Sequence, residues 1–224
     1  MTALITESDP VTRAKEAWAG ARVYTIGHST RPQAELIELL HHYKVATLAD
    51  VRTIPRSRHN PQFNREVLAE ALPAAGLAYV HLPLLGGLRH GLGEASPNGG
   101  WRNKSFRAYA DYMQTADFAK GLEELRALTP AGPVAVMCAE AVPWRCHRSL
   151  IADALTIRGV AVREIWSDSR TEIHELTPFA HVEGLRLTYP ADEGGSRAVG
   201  QWVSGSVKLN TDPLNTDYSV TERI

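Results

Sequence analysis

The sequence predicts an α/β fold, a three-layer sandwich in which a largely parallel central sheet of about five strands is flanked by helices. From Val23 onward, short apolar runs alternate with segments in which apolar residues recur at helical spacing. A hydrophobic fraction of 44% over 224 residues is also enough for a real core. Both observations point to a single α/β domain.

Five apolar runs predict the strands, over residues 23–26, 46–51, 77–82, 134–138 and 160–166. Helices are predicted after Thr30, after Asn64 and after Arg148, because leucine, isoleucine and valine then recur every three or four residues. Residues 106–125 predict a helix pair or one interrupted helix, and residues 11–18 a short helix. Helices thus separate most of the predicted strands, as parallel pairing requires.

One domain is expected over residues 21–190, preceded by a peripheral segment over residues 1–20 and followed by a flexible tail over residues 191–224. The tail is rich in Gly, Ser, Asn and Asp, so we expect that it cannot bury enough apolar surface to offset its chain entropy. Residues 84–104 contain six glycines, which predicts a functional or a disordered loop.

Charge and cysteine content limit the classes of protein. The formal net charge of -1 argues against binding to nucleic acid or to an anionic membrane through overall charge. No apolar run approaches the ~20 residues that span a membrane, and residues 1–10 lack the apolar core of a signal peptide. The two cysteines, Cys138 and Cys146, lie close together in the chain, which favours a local site in a reducing compartment. We therefore expect a cytoplasmic protein without a membrane partner.

Polar residues follow four of the predicted strands where each strand ends. They are His28, Asp50, His81, and Cys138 with Glu140. Because the carboxyl ends of parallel strands share one edge of a sheet, these residues are expected to converge on one pocket mouth. Each alone has a structural explanation, such as Cys138 acting as a small buried hydrophobe. Their clustering predicts a site.

A loop with several cations follows the second strand and is expected to overhang the same edge. It contains Arg52, Arg56, Arg58 and His59. Guanidinium groups hold phosphate or carboxylate bidentately, so the loop predicts an anionic ligand. Residues 50–107 contain eight Lys or Arg against four acids, and Trp101 adds a predicted stacking surface. The alternative is a solvated loop face whose arginines bind nothing.

The segment from Arg145 to Arg148 is predicted to open a helix, where free N–H groups and the helix dipole favour anions. Cys146 lies among these cations and beside His147. We therefore expect its pKa to be lowered, which makes it a candidate nucleophile. Glu140 is the alternative catalyst, as a general base or as a partner that orients Arg148.

A metal site formed by Cys138, Cys146 and His147 is a further alternative. The spacing is not that of a zinc ribbon or a zinc finger. A tetrahedral site would also need a fourth ligand, which the chain offers in His28, His81 or His174. From the sequence we therefore predict no metal and no cofactor.

Six short motifs carry a resemblance to a known family. They are Tyr24–Ser29, Asp50–Arg52, Pro55–Asn64, Leu85–Gly87, Cys138–Glu140 and Cys146–Arg148. In this order and spacing they resemble the family of domain of unknown function 488, over about residues 23–189. The resemblance implies an α/β fold of bacterial cytoplasmic proteins and leaves the reaction undefined.

A weaker similarity connects the chain with rhodanese-like and cysteine-phosphatase domains. The run Leu48–Arg52 is similar to the rhodanese strand that ends in Asp-x-Arg, and Cys138 before Arg148 is similar to their catalytic loop. The stretch from Cys138 to Arg148 is, however, longer than the tight loop that those enzymes wrap around an oxyanion. The role of their catalytic cysteine is therefore not assigned to Cys138.

The sequence therefore predicts an enzyme, hydrolase- or transferase-like, that binds a phosphate-bearing small molecule, a nucleotide or a nucleic-acid end. The expected catalytic residues are Glu140, Cys146, His28 and Asp50, and the expected binding residues are Arg52, Arg56, Arg58, His59, Trp101, Arg145, His147 and Arg148. Two alternatives stay open, a non-catalytic nucleic-acid-binding module and a thiol-based redox or sulfur-handling protein. The sequence predicts no oligomeric state.

Overall fold

A six-stranded sheet organises the chain in the computed structural model, which describes residues 8–191. Its strands are β1 (Val23–Gly27), β2 (Thr47–Asp50), β3 (Ala78–His81), β4 (Val134–Cys138), β5 (Arg163–Ile165) and β6 (Thr171–Ile173). Their order is β3-β2-β4-β1-β5-β6, and only β6 runs antiparallel to its neighbour. Residues 192–224 of the predicted tail and residues 1–7 lie outside the described range.

The predicted fold class is confirmed, with one more strand in the sheet than the five expected. The sequence does not predict β6, because this strand has three residues, two of them exposed, and therefore shows no apolar run. The sequence likewise does not predict the antiparallel hairpin of β7 (His181–Glu183) and β8 (Arg186–Thr188), because these strands also have three residues each and show no apolar run. Short polar strands depend on neighbouring strands more than on their own composition.

Within residues 8–191 the chain forms six α-helices. They are α1 (Pro10–Ala17), α2 (Gln33–His42), α3 (Arg65–Ala74), α4 (Lys104–Tyr112), α5 (Ala116–Arg126) and α6 (Arg148–Thr156). Side-chain oxygens of Asp9, Asn103 and Thr115 cap α1, α4 and α5, which explains where these helices begin. None of the helices in this range is long and apolar enough to cross a membrane.

Helices cover both faces of the sheet. Leu36 of α2 and Leu68 of α3 pack on one face, whereas α4, α5 and α6 pack on the other. The central strand β4 is fully buried and serves both layers, since successive side chains of a strand point to opposite faces. Met137 thus joins the α2–α3 layer, and Cys138 joins the α4–α6 layer.

The chain leaves neighbouring strands toward opposite faces at the middle of the sheet. The connection after β1 leads to α2 on one face, and the connection after β4 leads to α6 on the other. Where connections diverge in this way, a crevice opens at the carboxyl ends of the strands. Of the polar strand ends predicted to converge, His28, Cys138 and Glu140 line cavities at this crevice. Asp50 is fully buried and His81 is bonded to the Arg52 carbonyl, and neither lines these cavities.

Candidate functional site

Two cavities lie at the carboxyl edge of the sheet and share a wall. The thiol cavity, of about 330 Å³, is lined by Cys138, Cys146, His147 and Arg145, among others. The arginine cavity, of about 420 Å³, is lined by His28, Arg56 and residues of both flanking loops. Arg52, Ile54, Ala139 and Glu140 line both cavities and form the shared wall.

A buried ion pair forms the base of this wall. The Asp50 carboxylate is fully buried and accepts two hydrogen bonds from the Arg52 guanidinium, at 2.9 and 2.6 Å. It also accepts one from the Tyr79 hydroxyl at 2.8 Å, and burial together with this carboxylate raises the pKa of Tyr79. Arg52 donates further to the Phe63 carbonyl. The Asp50 and Arg52 side chains therefore hold each other.

His28 is buried and its tautomer follows from its partners. Its Nδ1 lies 2.8 Å from the Ser29 carbonyl, which can only accept, so Nδ1 carries the proton. Its Nε2 lies 3.2 Å from Arg52 Nη1, a donor, so Nε2 presents its lone pair. Burial lowers the pKa of His28, which keeps the ring neutral. His28 thus lines the arginine cavity as a positioned, uncharged ring that stacks on Phe63.

Arg148 holds the loop that separates β4 from α6. Its side chain is 2% exposed and donates to the main-chain carbonyls of Glu140 and Ala141. The Glu140 carbonyl also approaches Gly27 so closely that a Cβ at position 27 would collide with it. Both contacts are structural, so Nη1 and Nη2 hold the loop, whereas Nε has no hydrogen-bond partner among the described residues. The expected contact of Arg148 with an anion stays a prediction.

The two thiols and one imidazole form a compact cluster on the floor of the thiol cavity. His147 Nδ1 lies 3.9 Å from Cys138 Sγ and 3.7 Å from Cys146 Sγ. Its Nε2 lies 3.1 Å from the Val51 carbonyl at the end of β2. Gly87 packs against the ring, because a Cβ there would meet three ring atoms at 2.5 to 2.9 Å.

The sequence assigned the lowered thiol pKa to the wrong cysteine. A hydrogen bond from the Cys146 thiol, helped by His147, holds the pKa of Cys138 well below its ordinary range. Burial and the adjacent Cys138 sulfur raise the pKa of Cys146 well above it. The helix also begins at Arg148 rather than at Cys146, so Cys146 lies outside the first helical turn. Sequence neighbours alone did not indicate that Cys146 is only 3% exposed.

The remaining predicted cations separate into those that reach the cavities and those that do not. Arg56 and Arg145 are exposed and line the arginine cavity and the thiol cavity, respectively. Arg58 and His59 are exposed on the same loop as Arg56 but line neither cavity. Among the described residues, neither Arg56 nor Arg145 has a side-chain hydrogen bond or ion pair.

Trp101 is not the exposed stacking surface that was predicted. Its side chain is 9% exposed and its ring packs against Phe106, Phe179 and Tyr189, with centroids 4.8 to 5.5 Å apart. Trp101 belongs to the loop over residues 84–104. Asp111 holds this loop against the domain, since it accepts hydrogen bonds from Leu92 and Asn98. Trp101 therefore belongs to the core.

Sequence reasoning missed several groups that shape the site. Gly27 and Gly87 permit close approach at the two sides of the cluster, and Tyr79 completes the partners of Asp50. Ser29 adopts a left-handed backbone conformation, with φ of 48°, and its carbonyl fixes the His28 tautomer. The Val51 carbonyl does the same for His147. Among these groups only the two glycines could have been found from the sequence, because they lie in the motifs Tyr24–Ser29 and Leu85–Gly87. The partners supplied by backbone carbonyls leave no pattern in a sequence.

Comparison with known proteins gives one finding. The sequence model of a family described as domain of unknown function DUF488 matches residues 33–155, which is narrower than the span of the motifs and leaves out Tyr24–Ser29. No curated protein and no solved structure matches the chain. The similarity to rhodanese-like and cysteine-phosphatase domains finds no support here and stays a prediction. The chain belongs to the DUF488 family.

Proposed function

We propose that this protein is an enzyme that binds a phosphate-bearing small molecule or a nucleotide in the two adjoining cavities and acts on it by hydrolysis or group transfer. The observation that carries the proposal is the placement of Arg56 and Arg145. Each lines a cavity without an acidic partner within residues 8–191, and the cavities meet at Glu140. Unpaired guanidiniums at a concave surface are the usual ligands of phosphate and carboxylate oxygens.

The size of the cavities favours a small molecule over a strand of nucleic acid. Their volumes of about 330 and about 420 Å³ fall in the range of ligand pockets, which is ~300–1,000 Å³. Proteins that bind single-stranded nucleic acid combine a basic groove with exposed aromatic rings on which bases stack, and the ring predicted for that role, Trp101, lies in the core. A nucleic-acid end that inserts one phosphate remains compatible with the proposal.

Glu140 is the group best placed for proton transfer. It is exposed at the junction of both cavities, whereas its main-chain carbonyl is held by Arg148. A carboxylate on a fixed loop beside bound anion oxygens suits a general acid or base. Cys138 and Cys146 lie on the adjoining floor and supply the second reactive group.

Thermal denaturation with a panel of anions tests the proposal. We expect nucleotides or sugar phosphates to raise the melting temperature of the wild-type protein, and inorganic phosphate to do so more weakly. Arg56→Gln combined with Arg145→Gln abolishes the increase, whereas Glu140→Gln keeps it and lowers turnover. Absence of any increase across the panel at low salt refutes the proposal.

A thiol-based redox protein is the second candidate, because Cys138 and Cys146 are the only two cysteines and their sulfurs are adjacent. Oxidation by hydrogen peroxide would join the two sulfurs in a disulfide, with release of water. Mass spectrometry of the peroxide-treated protein distinguishes this candidate from the first. A rapid loss of two hydrogens that involves both cysteine peptides favours redox chemistry, and unchanged thiols exclude it.

A further inference from the structure

The cluster of Cys138, Cys146 and His147 has the geometry of a metal site. Their three donor atoms, two Sγ and one Nδ1, all lie within 4.8 Å of one another. In tetrahedral zinc sites with Zn–S near 2.3 Å and Zn–N near 2.0 Å, nitrogen and sulfur ligands lie about 3.6 Å apart. The distances here are 3.9 and 3.7 Å, so only a few tenths of an ångström separate this arrangement from a zinc-bound one.

The protonation of His147 suits ligation. Because the Val51 carbonyl can only accept, His147 Nε2 carries the proton and Nδ1 presents its lone pair to the two sulfurs. A backbone carbonyl on the remote nitrogen is the usual outer partner of a metal-bound histidine. Gly87 and Tyr109 pack against the ring and keep this orientation. The imidazole is therefore fixed before any ion arrives.

The charge of the cluster also matches a divalent ion. Two thiolates and a neutral imidazole carry two negative charges, which Zn²⁺ cancels. This matters because Cys138 and Cys146 are 8% and 3% exposed, and an uncompensated charge there is costly. Binding involves no redox change, since each thiol that still holds a proton releases it to solvent as its bond to the metal forms.

The histidines considered as a fourth ligand are bound elsewhere. His28 is held by Ser29 and Arg52, His81 lies 2.8 Å from the Arg52 carbonyl, and His174 is bonded to Asp153. The fourth position instead borders the thiol cavity, which Glu140 and Arg145 also line. Structural zinc sites have four protein ligands, whereas catalytic ones leave a position for water or substrate.

We infer that Cys138, Cys146 and His147 bind one zinc ion whose fourth coordination position opens into the thiol cavity. The inference of a metal site depends only on the geometry of its three ligands. Its role as the reactive group rests on the proposed function: in place of the free thiols, the ion would lower the pKa of a bound water, and Glu140 would accept the proton released. The sequence did not predict the site, because the spacing of its ligands matches no zinc motif.

Titration with Co²⁺, a spectroscopic substitute for zinc, tests the inference. Protein stripped of metal under reducing conditions should bind one equivalent, with sulfur-to-cobalt charge-transfer absorption and the visible bands of tetrahedral cobalt, and zinc should displace it. We expect Cys138→Ser and Cys146→Ser each to remove about half of the charge-transfer intensity, in line with one thiolate of the two that the site supplies. His147→Ala weakens binding by tenfold or more, and the exposed His41→Ala leaves it unchanged.

Two results would overturn the inference. One is a wild-type protein that gives no charge-transfer band with equimolar Co²⁺, and the other is a band that survives in the Cys138→Ser/Cys146→Ser double variant. If the cysteine variants do not fold, X-ray absorption spectroscopy of the zinc-loaded wild type tests the inference instead. We expect two sulfur atoms bound to the zinc, and a zinc ion without sulfur neighbours would contradict the inference. Metal binding without anion binding refutes only the proposed function, whereas anion binding by a protein that takes no metal refutes only the zinc site.

Discussion

Two kinds of arginine lie at the same edge of the sheet, and they differ in what they contact. The β2–α3 loop, residues 51–64, presents Arg56 at a cavity without a side-chain partner among the described residues. At the β4–α6 loop, residues 139–147, the buried Arg148 donates from Nη1 and Nη2 to two main-chain carbonyls, and its Nε has no partner among the described residues. Both kinds occur at each loop, since Arg52 is buried and paired in the first and Arg145 of the second lines the thiol cavity, and burial decides the role. The buried guanidiniums of Arg52 and Arg148 stabilise the structure around the cavities, and the exposed ones of Arg56 and Arg145 are available to a ligand.

The largest expected effect comes from the frame beneath the β2–α3 loop. Asp50→Asn breaks a fully buried ion pair and leaves the Arg52 charge uncompensated, so the free energy of unfolding should fall by about 3–5 kcal/mol. Tyr79→Phe removes one hydrogen bond from the same carboxylate and should cost about 1 kcal/mol. Urea denaturation measures both. Equal losses for the two variants would contradict a structural role of the ion pair.

Arg148→Met tests the frame of the β4–α6 loop. It removes both donors to the Glu140 and Ala141 carbonyls, so we expect a loss of about 3 kcal/mol in unfolding free energy. Arg158→Met is the matched control beyond the other end of α6, where a single hydrogen bond to Ala154 is lost and about 1 kcal/mol is expected. If Arg148→Met is as stable as the control, the loop does not depend on this guanidinium.

A second buried carboxylate anchors α6 away from the cavities and predicts a pH dependence. Although burial opposes the charge, hydrogen bonds to Asp153 and Glu164 raise the pKa of His174 from 6.5 to about 9. The protonated ring therefore stabilises the fold fully below about pH 6.5, and this contribution of about 3 kcal/mol is lost as the pH rises through 9. Tyr189 and Thr177 also donate to Asp153.

Urea denaturation between pH 6 and pH 10 measures this contribution. The difference between wild type and His174→Gln isolates it, since other groups titrate equally in both proteins. The difference should shrink steadily across that interval. A difference that stays constant would mean that His174 is neutral in the folded protein.

The smallest effect separates two arginines of the β2–α3 loop. Arg56→Gln should weaken the binding of a phosphate ligand by about tenfold, because one guanidinium contact to an anion contributes ~1–2 kcal/mol. Arg58→Gln should change the affinity less than twofold, since Arg58 lines neither cavity. Both should leave the melting temperature of the free protein unchanged. Equal effects of the two variants would assign the binding to overall loop charge, as in the alternative of a solvated face.

The sequence predicted the convergence of strand ends better than the role of each residue. Parallel strands bring residues such as His28, Asp50 and Cys138 to one edge whatever their partners are, so periodicity was sufficient for the edge. The partners of Arg52 and Arg148 depend on tertiary contacts with carbonyls and with Asp50, which composition does not record. The predicted order of the thiol pKa values was wrong for the same reason, since the order follows from burial and from the contact between the two sulfurs rather than from adjacent cations.

A crystal structure of the protein with a phosphate compound from the thermal panel tests most directly whether the two loops form one ligand site. We predict that the phosphate binds at the shared wall, within hydrogen-bond distance of Arg56 or Arg145 and beside Glu140. A phosphate bound elsewhere on the protein, with these cavities filled only by water, would contradict the division between framing and binding arginines.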